Sequence, residues 1–131
     1  MVNILLMIGL MVITNYIYDL DDEIGISFKN SEGGSSGGMI LSLGIYSKIT
    51  GIDLLKGRHV AGTGTISMDG LVGEIDGIKY KIAGAVKNKM DVVLVSSYNY
   101  DEALKVVKDN NYKIEIVKVE NLKDAIDYLA K

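Results

Sequence analysis

From Asp91 to Ala130 the apolar pattern keeps changing its period, and that alternation constrains the fold more than any other feature of the chain. Asp91 to Val95 is a short continuous apolar run, and Tyr100 to Lys108 repeats at helical spacing before the stop at Asn110-Asn111. Lys113 to Val119 alternates, and Leu122 to Ala130 is helical again. Strand, helix, strand, helix in this order argues for an α/β layer with at least one parallel pair of strands.

Upstream, Ile24 to Lys29 alternates and places Ile24, Ile26 and Phe28 on one face of a half-buried strand. Asn30 to Gly38 (NSEGGSSGG) holds four glycines and nothing apolar, so it reads as a loop. Helical spacing then resumes with Met39, Leu43 and Tyr46 on one face and a stop near Thr50-Gly51. The run His59 to Ile66 (HVAGTGTI) is small and β-branched, and Asp69-Gly70 marks a hairpin turn before Leu71-Val72. Ile78, Ile82, Ala85 and Val86 make a helical stripe ending near Asn88, which puts Lys79 and Lys81 on the first helical turns. With no proline among 131 residues and 15 glycines, these breaks rest on Gly, Asn and Asp. Length and a 48% hydrophobic content fit one compact domain preceded by a separate N-terminal segment.

That segment, Met1 to Tyr18, carries no charged side chain, and the acidic run Asp19 to Glu23 ends it. As a secretory signal it lacks a Lys or Arg near its start. As a membrane span it falls short of the roughly 20 apolar residues that a bilayer core asks for. The reading favoured is a helix over residues 1–22 buried in the core or in a subunit interface, with membrane association left open. The expected location is accordingly cytoplasmic, or at a membrane through this segment. A net charge of -3 with scattered lysines makes nucleic acid a poor partner. No cysteine and a single histidine, His59, exclude a thiolate cluster and a polyhistidine metal site, and no cofactor is implied.

A glycine-rich loop running into a helix can hold a phosphate or the oxyanion of a tetrahedral intermediate on its N–H groups. The phosphate-loop pattern wants Lys and then Ser or Thr after its last glycine, and here Met39 follows Gly38. The dinucleotide fingerprint fails as well, for want of its Gly-x-Gly-x-x-Gly spacing. A plain structural use stays open, in which Ser35 or Ser36 caps the helix.

The loop Gly34-Ser35-Ser36-Gly37-Gly38 is followed by AGTGTISMDGLVGEIDGIKYK from Ala61 to Lys81. In order and spacing these runs resemble the Lon proteolytic domain, with its nucleophile in a Gly-Pro-Ser-Ala-Gly run and its lysine in an Ile-Gly-Gly-Leu-Lys-Glu-Lys run. The Ala-Gly-Thr-Gly-Thr-Ile form looks most like bacterial Lon-like proteases that lack an ATPase module. The resemblance covers about Ile24 to the C-terminus and implies a Lon-like domain over residues 23–131, a mixed sheet with helices packed on it, shortened at its N-terminal side. It also implies a Ser-Lys dyad: Ser36 as nucleophile, Lys81 as general base, Thr63 helping to hold the lysine, and Gly34, Ser35 and Gly37 supporting the loop. Lys79 matches the noncatalytic lysine of the run. A serine hydroxyl needs a base within hydrogen-bond reach, and a lysine in its amine form can be one, so no histidine is required. His59 is expected to be structural or on the surface.

Three positions depart from the family pattern: Ser35 stands for proline, Gly37 for alanine and Asp76 for the first glycine before the lysine helix. A carboxylate at Asp76 turned toward Lys81 would favour the ammonium form and oppose its work as a base. The resemblance further implies a peptide or unfolded-protein substrate, a homo-oligomer and a separate ATPase as a possible partner. Two other readings stand beside it. One is a catalytically degenerate Lon-like domain used for binding or assembly; the other is a fragment of a small-molecule kinase of the GHMP group, whose Gly-Leu-Gly-Ser-Ser-Ala loop GGSSGG faintly matches.

Overall fold

The computed structural model describes residues 35–131. The apolar segment Met1 to Tyr18, the strand expected at Ile24 to Lys29, and Gly34 lie outside the described residues. A 3-10 turn at Ser35–Gly37 runs into α1 (Gly38–Thr50), followed by β1 (Val60–Thr63), β2 (Thr65–Ile66) and β3 (Val72–Gly73). Then come α2 (Ile78–Lys87), β4 (Val92–Ser96), α3 (Tyr100–Asp109), β5 (Glu115–Val119) and α4 (Leu122–Ala130). The expected alternation is present, with boundaries moved by a residue or two.

β1, β4 and β5 form a parallel sheet in that order, with Val60 opposite Val92, Thr63 opposite Val95 and Ser96 opposite Val119. β4 is buried along its whole length because both of its faces are covered. Val92 and Leu94 meet Met39 and Leu43 of α1 and Leu122, Ala125 and Leu129 of α4. Val93 and Val95 meet Ile78, Ile82 and Ala85 of α2 and Ala103 of α3. A strand between two apolar layers has no polar face to display, which is why this segment reads as an unbroken apolar run. Each such Leu or Ile buried contributes about 1.5–3 kcal/mol. The two crossover helices, α2 and α3, lie on one face, as successive crossovers of one hand require when the strands step the same way across a sheet.

The His59 to Ile66 run is not one strand of a hairpin. It divides at Gly64: β1 joins the parallel sheet, and only β2 pairs antiparallel with β3, Thr65 opposite Gly73 and Ile66 opposite Val72. Parallel and antiparallel pairing are thus shared between two sheets. The expected turn stands at Asp69-Gly70, where the Gly70 N–H donates to Ser67 O at 3.0 Å and Asp69 Oδ1 accepts from Ser67 Oγ at 3.1 Å.

The far end of the domain is closed by side chains. Arg58 donates to Leu54 O and Leu55 O at 2.9 Å and to Leu129 O at 2.7 Å, and Lys56 Nζ donates to Ala130 O at 2.6 Å. These cations satisfy carbonyls that the end of α4 would otherwise leave open. At its start, Asn121 Oδ1 accepts from the Asp124 N–H at 2.9 Å while Asp124 Oδ2 accepts from the Asn121 N–H at 3.3 Å, a reciprocal cap. Among the described residues no helix is long and apolar enough to cross a membrane.

Candidate active site

Ser36 and Lys81 come from helices on opposite faces of the sheet. They meet beside the C-terminal end of β1, outside the carboxyl ends of the strands, where open α/β sheets bind ligands. Ser36 is the middle residue of the turn before α1, and the cap position is taken by Gly37, with no side-chain cap bond. The turn is instead held through the backbone. The Gly64 N–H donates to Ser36 O at 3.0 Å, and Gly64 O accepts from the Met39 N–H at 3.2 Å. Gly64 is also packed too closely against β3 to carry a side chain: a Cβ there would meet Val72 Cγ1 at 2.5 Å. The residue that follows β1 therefore anchors the serine turn.

Lys81 is set by the start of α2. Gly77 caps that helix at φ +73, a left-handed conformation that favours glycine, and its carbonyl accepts from the Tyr80 N–H at 3.1 Å and the Lys81 N–H at 3.2 Å. Ile78 and Ile82 face the core, and Lys81, three residues after the first and next to the second, lies on the margin of the buried stripe. Lys79 and Tyr80 are exposed. The Lys81 Nζ donates to Ser36 Oγ at 3.2 Å, and both residues are half-buried. A serine oxygen and a lysine nitrogen at this separation can exchange a proton directly.

The remaining expected site residues divide. Gly37 belongs to the turn and Ser35 begins it. Thr63 is buried at the last position of β1, next to Gly64, and its Oγ1 forms no hydrogen bond among the described residues. It therefore does not hold Lys81 directly in this structure. An unpaired buried hydroxyl costs about 1–3 kcal/mol, which marks the position as one that packing alone does not explain. Asp76 is exposed, and among the described residues no ion pair joins it to Lys81. His59 lies at the opposite end of β1, exposed, with its Nδ1 3.4 Å from Asp91 Oδ2. The length of an extended strand, about 3.3 Å per residue, separates it from Ser36. Among the described residues no cluster of His, Cys, Asp or Glu could hold a metal ion.

Two residues between the end of β4 and the start of α3 make contacts that the sequence did not single out. Ser96 Oγ donates to Val72 O at 3.3 Å, and the Asn99 amide bonds both backbone groups of Ile75, accepting from its N–H at 3.0 Å and donating to its carbonyl at 2.9 Å. Ile75 lies in the segment leading into α2. The sequence signal at Asn99 is a misleading one, since an Asn just before a helix reads as a cap.

Comparison with known proteins gives the family. The family model described as the Lon protease (S16) C-terminal proteolytic domain matches residues 29–131. The Lon protease of Neorickettsia sennetsu is 31% identical over 98 residues, covering 75% of this chain and 12% of that protein. The Lon protease of Methylocella silvestris is 32% identical over 93 residues, or 71% of this chain and 11% of its own length. The peroxisomal Lon protease homolog 2 of Caenorhabditis elegans is 32% identical over 93 residues, 71% of this chain and 12% of its own. The chain spans about 11–12% of the length of these curated relatives.

Proposed function

The chain belongs to the Lon protease proteolytic-domain family, and from that premise we propose that it is a serine peptidase with Ser36 as nucleophile and Lys81 as general base. The observation that supports this reading is the 3.2 Å separation of Lys81 Nζ and Ser36 Oγ. In the forward step the Lys81 amine takes the Ser36 proton as Oγ bonds to a peptide carbonyl carbon, and the carbonyl electron pair moves onto its oxygen. Collapse of that intermediate breaks the C–N bond, and Lys81 returns its proton to the leaving amine. In deacylation Lys81 takes a proton from water as the water oxygen bonds to the acyl carbon, and returns it to Ser36 Oγ as the ester C–Oγ bond breaks. N–H groups of the Ser36 turn, Ser36 and Gly37, are the donors this reading assigns to the oxyanion. This reading assigns Thr63, whose buried hydroxyl has no hydrogen-bond partner among the described residues, to the support of the lysine once substrate is bound.

Substrates under this reading are extended peptides or unfolded proteins, cleaved without ATP by the isolated chain, and copies of the chain assemble as a homo-oligomer. The experiment is hydrolysis of a fluorescently labelled unfolded protein by the wild-type chain and by Ser36→Ala. A rate lowered about 10³-fold or more in the variant supports the dyad. Equal rates overturn it and leave the second reading, a Lon-like module for binding or assembly.

A further inference from the structure

We infer that Asn99 is a positioning residue for Lys81, fixing the start of α2 from a distance of many residues along the chain; the inference rests on the dyad reading above. Asn99 stands at the N-cap position of α3, where an Asn side chain ordinarily accepts from the free N–H groups of the first turn. Here it makes no such bond. The amide is turned away from its own helix, is 2% exposed, and spends both polar atoms on Ile75. A residue that forgoes its local cap to clamp another segment is holding that segment in place.

The clamp leads to the lysine by a short path. Ile75 is buried in the core shared with Ile78 and Ile82, and two residues later Gly77 O accepts from the Lys81 N–H. Ser96 pins the preceding strand, β3, at Val72, whose own N–H donates to Glu120 O at 2.9 Å. β3 and the segment leading into α2 are thus tied to the end of β4 and the start of α3, at Val72 by Ser96 and at Ile75 by Asn99. Because β4 is the central strand, buried on both faces, it is the most rigid reference available for an amine that must meet a serine on the other side of the sheet. Asn99 touches neither Ser36 nor Lys81, so its effect on hydrolysis passes through backbone placement.

The test measures kcat and KM for wild type, Asn99→Ala, Asn99→Asp and Arg58→Ala, each with its melting temperature, at a temperature where all are folded. Arg58 ties the opposite end of the domain and serves as the control for lost stability. Asn99→Ala is expected to lower kcat about 100-fold with KM changed less than about threefold, since a misplacement of about 1 Å costs that much. Asn99→Asp keeps the acceptor for the Ile75 N–H and is expected to recover about tenfold of that loss, while Arg58→Ala keeps the wild-type kcat. A kcat for Asn99→Ala within about twofold of wild type overturns the inference. If the wild-type chain hydrolyses nothing, the dyad reading fails, and the positioning claim is read instead from the ε-methylene proton signals of Lys81. Two distinct signals in wild type that merge in Asn99→Ala support it. Signals unchanged by the substitution, or already merged in wild type, overturn it.

Discussion

The helices that carry Ser36 and Lys81 are started by opposite means. α1 begins from a glycine-rich turn whose ties are backbone to backbone, Ser36 O and the Met39 N–H both meeting Gly64, and it depends on side chains being absent. α2 begins from a left-handed glycine, Gly77, two residues after Ile75, whose backbone is held by the buried Asn99 amide from another element, and it depends on that amide being present. The serine side is therefore damaged by adding atoms, the lysine side by removing them. A site assembled from both faces of a sheet needs both kinds of support, because Lys81 and Ser36 meet only if each helix is started in the right place.

The strongest way to break this comparison is at the amine itself. Lys81→Met keeps an unbranched stem and deletes the base, so hydrolysis of an unfolded-protein substrate should fall about 10²–10⁴-fold while the melting temperature barely moves. A variant retaining most of its rate would mean that the lysine side has nothing to position. Next comes Gly64→Ala, whose new methyl would approach the buried Val72 Cγ1 at 2.5 Å. Overpacking of this kind should cost about 1–3 kcal/mol in urea unfolding, with a loss of activity beyond that of an equally destabilised remote variant. Indifference at this position would remove the demand for empty space on the serine side.

Arg58→Ala sharpens the contrast by acting on neither lead-in. Losing its bonds to Leu54, Leu55 and Leu129 carbonyls should cost about 1–2 kcal/mol, seen as a lower urea midpoint with an unchanged kcat. The smallest effect is expected at Tyr128, also away from the site. Burial, and then its hydrogen bond to Glu115, hold the Tyr128 phenol above its ordinary value of 10.0. Folding thus favours the neutral phenol, a contribution that is complete below pH 10 and lost as the pH rises through the folded-state value. Tyr128→Phe should flatten the alkaline limb of a plot of melting temperature against pH. A limb identical to wild type would show that the phenol does not report on folding.

Much of this was readable in the residues. The alternation after Asp91 marks each later strand and helix because burial between two layers leaves its own period in the sequence. The turn at Asp69-Gly70 and the glycines around Ser36 are local signals of backbone shape. The run from His59 to Ile66 was not legible in the same way. Nothing in its composition says that it divides at Gly64, since what divides it is the approach of the serine turn from a distant part of the chain.

The sequence alone determined the α/β class, the serine on a glycine-rich turn and the lysine on the first turns of a helix, since each is a matter of nearest neighbours and period. Only the tertiary structure decided that Lys81 and Ser36 lie 3.2 Å apart and that Asn99 serves Ile75 in place of its own helix. The physical reason is that both depend on how helices from two faces of one sheet are set against its ends. A hydrogen bond between residues far apart in the chain leaves no periodic trace in either segment.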